Sequence, residues 1–278
     1  MELNLDKESI FKPRVVIVTG GTRGLGWEMV LALLKAGHFV IATGSSGGAV
    51  HEKAMDTLSQ LFSKDQFVVC QSNVTNSEDC QRVMDIAFNK FGRIEGLVNN
   101  AGRGMLEINS NFIDEPPKFW AASENAFRNI IETNILGPFL MTKASIPYML
   151  KNKFGRIVNI STSLSTMVRS GYSPYGPSKA GLEALTSLWA KDLSNSGVTA
   201  NVLLPGGASS TDMLPKTIDK SKLLPPENMR GPIVWLMSNE SSSYTGRRIS
   251  AKEWREDLST GDSLALCMSA AVDTPSIL

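Results

Sequence analysis

Tyr175-Gly176-Pro177-Ser178-Lys179 places a phenol and an ammonium four residues apart. On a helix that spacing puts both on one face. A nearby cation favours the ionised phenol, and a tyrosine with its ordinary pKa of about 10 is a poor proton relay at neutral pH without such help. The chain has four tyrosines, so a chance pair of this kind arises roughly one time in five; its order relative to other motifs is what gives it weight.

The second constellation is Thr19-Gly20-Gly21-Thr22-Arg23-Gly24-Leu25-Gly26. It falls between a β-branched run, Arg14 to Thr19, and apolar residues at helical spacing (Leu25, Met29, Ala32, Leu33, Ala36), so it is a strand, turn and helix. Glycines there allow a tight turn and let a pyrophosphate approach the helix N-terminus, whose dipole favours negative charge. A glycine-rich turn without a ligand is the alternative, and the flanking strand and helix weigh against it. In dinucleotide folds an acid at the end of the second strand takes the ribose hydroxyls and selects NAD. Thr43-Gly44-Ser45-Ser46 stands there instead, and Arg23 in the glycine loop can meet a 2′-phosphate. The expected cofactor is therefore NADP (NADPH), with NAD as the second choice.

These groups need elements to hold them. Strands are predicted at Phe39 to Thr43, Phe67 to Gln71, Gly96 to Asn99, Arg156 to Ile160, Val198 to Leu204 and Arg247 to Ser250. Helices are predicted at Val50 to Phe62, Ser77 to Phe91, Asn125 to Leu150, Tyr175 to Ser194 and Glu227 to Ser238. Alternating strands and helices imply an α/β fold, a Rossmann-like doubly wound parallel sheet in a single domain. The divisions are an N-terminal extension at 1–13, a nucleotide-binding domain at 14–250 and a C-terminal tail at 251–278 that the pattern does not resolve.

With these motifs in this order, the chain resembles the short-chain dehydrogenase/reductase family over roughly Arg14 to Ser250. The resemblance rests on TGGTRGLG, Asn73-Val74 after the third strand, Asn99-Asn100-Ala101-Gly102, Asn134 in the long helix, the strand end NISTS, YGPSK, and Pro205-Gly206 after the sixth strand. It implies that Gly20, Gly24 and Gly26, with Thr22 and Leu25 in the same loop, cradle the pyrophosphate. Ser45, Asn73 and Val74 would lie at the adenosine end, and Asn100, Ala101 and Gly102 on the cofactor floor. It makes Tyr175 the acid/base, gives Lys179 the nicotinamide ribose and the lowering of the Tyr175 pKa, and gives Asn134 a water that links Lys179 to solvent. Thr211, beyond Pro205 and Gly206, would meet the carboxamide. The family's serine lies thirteen residues before the tyrosine, and here that position is Thr162, with Ser161 and Ser163 beside it. Thr162 is the first choice and Ser163 the second, since a threonine hydroxyl donates as a serine does but with a stiffer χ1. The implied activity is hydride transfer between nicotinamide and a carbonyl or secondary alcohol. A homodimer or homotetramer is implied as well.

Composition narrows the remaining classes. The 278 residues carry 28 Lys and Arg against 27 Asp and Glu, so the electrostatic footprint of a nucleic-acid binder is missing. No run reaches the eighteen or so apolar residues of a membrane span, and MELNLDKESIFKPR lacks a signal-peptide core, so no membrane partner and a cytoplasmic location are expected. Cys70, Cys80 and Cys267 form no metal-ligand pattern, so no metal is expected. His38 and His51 fall at element ends and read as surface residues, while Leu182, Leu185, Leu188, Trp189 and Leu193 form a stripe for sheet packing or a subunit contact.

Substrate choice falls to the irregular segments Arg103 to Ser123, Leu164 to Pro174 and Ser209 to Leu224. Met105, Leu106, Phe112, Ile113, Phe119 and Trp120 in the first, with Met213, Leu214, Leu223 and Leu224 in the third, suit a hydrophobic or cyclic ketone. Two rival functions remain: an NAD-dependent alcohol dehydrogenase, and a dinucleotide-binding sensor or scaffold without turnover.

Overall fold

The computed structural model describes residues 12–270; most of the N-terminal extension and the last eight residues lie outside them. Eight strands form one sheet in the order β3-β2-β1-β4-β5-β6-β7-β8. They are β1 Val15–Val18, β2 Phe39–Gly44, β3 Phe67–Gln71, β4 Gly96–Asn99, β5 Gly155–Ile160, β6 Val198–Leu204, β7 Arg247–Ser250 and β8 Met268–Ala270. β1 through β7 pair in parallel, Val16 facing both Val40 and Gly96, while β8 runs antiparallel against β7. The order reverses at β1 and β4, and in such sheets that switch point opens the binding crevice at the carboxyl ends of the strands.

The helices are α1 Gly24–Lys35, α2 Ala49–Leu61, α3 Ser77–Phe91, α4 Glu124–Ile131, α5 Gly137–Asn152, α6 Leu164–Met167, α7 Tyr175–Asp192, α8 Arg230–Leu236 and α9 Thr260–Cys267. Every residue of β1, β4, β5 and β6 is buried, as expected of strands covered on both faces. Two apolar clusters result. One joins Val16, Met29, Leu33, Val98, Leu203, Trp235 and Ile249, and the other joins Ile17, Ile41, Met84, Leu97, Met141 and Ile157.

Five differences from the sequence-based expectations have physical causes. The long helix does not run unbroken: a five-residue π turn, Glu132–Leu136, separates α4 from α5. Pro138 follows at the start of α5, where it can donate no backbone hydrogen bond to the turn before it. The segment Leu164 to Pro174 is not wholly irregular, because Ser163 caps α6 by accepting from the Thr166 N–H. Beyond Ser250 the chain adds α9 and β8, so the sheet is not parallel throughout. His38 is buried rather than superficial; its Nδ1 accepts from the Arg14 N–H at 3.0 Å, and burial, then the Arg14 charge, pull its pKa from 6.5 to about 4. The α7 stripe is split, with Leu182 buried and Leu188 55% exposed, and its buried face includes Glu183, Thr186 and Ser187.

Candidate active site

The glycine loop is built by close approach. Gly20 and Gly24 have φ of +62° and +57°, the left-handed region that favours glycine. A Cβ on Gly26 would overlap the Gly20 carbonyl and Asn100 Nδ2. Asn100 Nδ2 donates to the carbonyls of Thr19 and Gly20 at 2.9 and 3.0 Å, and Thr19 Oγ1 accepts the N–H groups of Asn100 and Ala101 at 3.0 Å each. The turns after β1 and β4 are thereby locked side by side. Thr211 faces Gly24 across this cleft, its methyl 3.5 Å from where a Cβ would stand. This glycine-lined cradle at a helix N-terminus, open to a loop from beyond β6, fits a dinucleotide.

At the adenosine end, Gly44 is buried and Ser45 exposed, and no carboxylate stands at the β2 terminus. Arg23 pairs with Asp212 at 3.3 Å, with 65% and 77% of the two side chains exposed. Asp212 had no signal in the sequence, because the pairing joins residues 189 positions apart. His51 packs near Gly44 with both ring nitrogens buried and without a partner. Asn73 is exposed and its Oδ1 accepts from the N–H and the hydroxyl of Thr75, whereas Val74 is a core residue against Gly137.

The chemistry-bearing groups converge at the end of β5 and the start of α7. The Thr162 hydroxyl hydrogen-bonds the Tyr175 hydroxyl, which favours the ionised phenol, but burial outweighs it and pushes the Tyr175 pKa up to about 12. Lys179 Nζ lies 6.0 Å from the Tyr175 ring centre and donates to the Ile160 carbonyl at 2.8 Å. The Lys179 ammonium is held by the main chain, and burial sets the sign of the shift at the phenol. Burial also lowers the Lys179 pKa to about 8, with the charge of Glu183 opposing that shift. Ser163 turns away from this pair, its Oγ 2.7 Å from Thr166 Oγ1 while it caps α6. Ser161 is buried, and its N–H extends the β5–β6 ladder to the Leu203 carbonyl.

Asn134 lies fully buried in the π turn. Its Oδ1 accepts the Arg103 N–H, and its Nδ2 donates to the Arg103 carbonyl and to Ser178 Oγ, all at 2.9 Å. Ser178 Oγ in turn donates to the Tyr175 carbonyl at 2.6 Å. A Cβ on Gly102 would stand 3.3 Å from Asn134 Oδ1 and 3.7 Å from Lys179 Nζ, so the NNAG turn packs directly beneath both. Behind them Asn99 Nδ2 donates to Asn159 Oδ1 at 2.9 Å and Asn159 Nδ2 to Thr186 Oγ1 at 2.8 Å, tying β4, β5 and α7 together. Asn159 entered the sequence reading only as the first residue of NISTS, with no role given to it, and Thr186 not at all.

Pro205 is buried, and Gly206, at φ +90°, starts the loop toward Thr211. Around the mouth, Met105 and Phe112 are core residues, whereas Phe119 and Trp120 are each 71% exposed and meet edge to face. Met213 packs on Gly104. Among the described residues, no helix is long and apolar enough to cross a membrane and no group of three or more His, Cys, Asp or Glu could hold a metal ion.

A parallel sheet with a glycine cradle at its switch point and a tyrosine–lysine pair beside it defines a dinucleotide-dependent oxidoreductase. The short chain dehydrogenase family profile matches residues 14–222. The chain is 31% identical over 241 residues to the 3-oxoacyl-[acyl-carrier-protein] reductase of Synechocystis sp., covering 83% of this chain and 92% of that one. It is 32% identical over 198 residues to the L-fucose dehydrogenase of Bos taurus, covering 69% and 65%. A solved structure described as a candidate 3-oxoacyl-reductase from Bacillus thuringiensis superposes with a TM-score of 0.72 at 27% identity, covering 86% of this chain and 96% of that one. The chain belongs to the short-chain dehydrogenase/reductase family, the NAD(P)-dependent oxidoreductases.

Proposed function

We propose that the chain is an NADPH-dependent reductase of a hydrophobic or cyclic ketone. The observation that carries this is the hydrogen-bonded pair Thr162 and Tyr175, with Lys179 beside it. Two hydroxyls side by side can both address one carbonyl oxygen. Thr162 donates to that oxygen as charge develops on it, and Tyr175 gives up its phenolic proton to it. A phenol with a pKa near 12 stays protonated through neutral pH, which suits donation in the reductive direction. Lys179 and Asn134 hold the route by which Tyr175 regains a proton. When bound, the nicotinamide supplies the hydride to the carbonyl carbon.

Gly20, Thr22, Gly24, Leu25 and Gly26 would hold the pyrophosphate, with Ser45, Asn73 and Val74 toward the adenosine. Asn100, Ala101, Gly102, Pro205, Gly206 and Thr211 would line the nicotinamide end, where Lys179 also meets the ribose. The missing carboxylate after β2 and the cation of Arg23 support NADPH. The exposed Leu106, Phe119, Trp120, Leu164 and Val168 around the mouth support an apolar substrate, as do relatives named 3-oxoacyl-[acyl-carrier-protein] reductases. Leu188 on α7 and Phe139 on α5, both exposed, support a homo-oligomer built on these helices.

One observation favours a second reading, NAD-dependent alcohol oxidation: Asp212 already engages Arg23. Titration with NADPH and NADH, followed by turnover of a carbonyl panel by wild type, Tyr175→Phe and Thr162→Ala, tests the proposal. Tighter NADPH binding and Tyr175-dependent reduction are expected. A preference for NADH that Arg23→Ala leaves untouched would support the second reading, and no binding of either cofactor would refute both.

A further inference from the structure

Glu183 lies four residues beyond Lys179 on α7 and is fully buried, its side chain 0% exposed. Its partner is Arg248 of β7, whose Nε stands 3.1 and 3.2 Å from the two carboxylate oxygens. The same guanidinium reaches back toward β5, where its Nη2 donates to the Thr162 carbonyl at 2.8 Å. Stability alone gives little reason for such a pair, since apolar residues of similar volume often serve a core as well or better. The third bond supplies a reason.

Thr162 is the first residue past the last β5–β6 pairing, which ends with the Ser161 N–H on the Leu203 carbonyl. From Thr162 onward no strand holds the main chain. Two cations do so instead, the buried Lys179 at the Ile160 carbonyl and the half-buried Arg248 at the Thr162 carbonyl. They grip carbonyls two residues apart, with the Thr162 side chain turned to Tyr175. A guanidinium suits this task because its planar fork can hold a carboxylate and still offer a further donor.

Resting on the proposed function, we propose that Arg248, locked by Glu183, is a positioning residue that clamps the Thr162 main chain so that its hydroxyl stays aimed at the substrate oxygen. Released from that clamp, Thr162 keeps its chemistry but loses its aim. Misplacement of a reacting group by about 1 Å can cost on the order of 100-fold in rate. The effect runs through Thr162 alone, so it must vanish when the threonine hydroxyl is already gone.

A double-mutant cycle tests this with ethyl acetoacetate and trans-1-decalone as probe ketones and NADPH as cofactor. Arg248→Met should lower kcat about 10- to 100-fold while KM for NADPH stays within about twofold, and Arg248→Lys should recover part of the loss. In the Thr162→Ala background, Arg248→Met should change kcat by less than about threefold. Losses that multiply, or an unchanged kcat in Arg248→Met, would overturn the inference while leaving the proposed function standing. Should Arg248→Met fail to fold because Glu183 is left unpaired, Glu183→Gln/Arg248→Met removes both charges and carries the same cycle with the same two outcomes. A wild type without Tyr175-dependent turnover on any carbonyl would overturn the proposed function, and this inference with it.

Discussion

Tyr175 and Lys179 have pKa values that burial moves in opposite directions, and each makes a prediction. Tyr175 is raised to about 12 and Lys179 lowered to about 8. In the reductive direction Tyr175 must begin protonated, a condition met throughout neutral pH. Tyr175→Phe should then reduce kcat by about 10²- to 10⁴-fold, the range of general acid catalysis, with NADPH binding by fluorescence titration unchanged. For Lys179 the sign follows from proton counting. Between about 8 and the ordinary 10.5 the unfolded chain holds a proton that the folded chain has released, so stability rises with pH across that window. The charge acting on Lys179 is that of Glu183 on its own helix, itself paired with Arg248 of β7. The melting temperature of wild type relative to Lys179→Met should therefore climb from pH 8 to 10.5. A difference that stays flat would show that burial does not lower the Lys179 pKa.

At the scale of elements, the β1–α1 turn is the part least tolerant of added atoms. Gly26→Ala would set a methyl against the Gly20 carbonyl and Asn100 Nδ2, both main supports of the cradle. A loss of about 1–3 kcal/mol in chemical denaturation is expected, together with at least a tenfold weaker NADPH affinity; unchanged affinity would remove the loop from the cofactor site. This turn was readable in the sequence because glycines there have a steric reason, and β3, α3, β4, β6 and β7 were readable because turn residues bracket short apolar runs. The π turn was not, since Ile130, Ile131, Ile135 and Leu136 keep an apolar pattern straight through it and periodicity cannot see one inserted residue. Thr162 was legible as a position but not as a choice over Ser163. What separates them is the use of the Ser163 hydroxyl as the α6 cap, and a helix of four residues is too short to announce itself. The Arg248 to Glu183 pair was invisible for another reason, being a contact across 65 residues between a strand and a helix.

The whole molecule depends on two features that lie away from the chemistry. His38 joins α1 to β2 as a buried imidazole with its pKa drawn down to about 4. Its folded value lies below its ordinary 6.5, so its contribution is complete above 6.5 and is lost as pH falls toward 4. His38→Gln should flatten the acid side of the stability curve in that interval, read from denaturation midpoints at several pH values. The second feature is the segment after Ser250. Ala251, Leu264 and Cys267 belong to the same apolar cluster as Val16 and Leu203, and Trp254 packs on Trp235 at 6.1 Å. β8 meanwhile covers the β7 edge, pairing Met268 with Ile249 and Ala270 with Arg247. An uncovered edge offers free N–H and C=O groups to another chain, and β7 is the strand that carries Arg248 to Thr162. Leu264→Ala should cost about 2–4 kcal/mol, as for other buried leucines. Deletion of 251–278 should lower the melting temperature further, promote association through the bared edge and reduce kcat through the loosened Arg248. Sedimentation and turnover measured on the same truncated sample decide the matter. If truncation produces aggregates but spares kcat in the soluble fraction, the tail protects the sheet without steadying the site; if kcat falls in soluble protein as well, the edge strand and the active site form one mechanical unit.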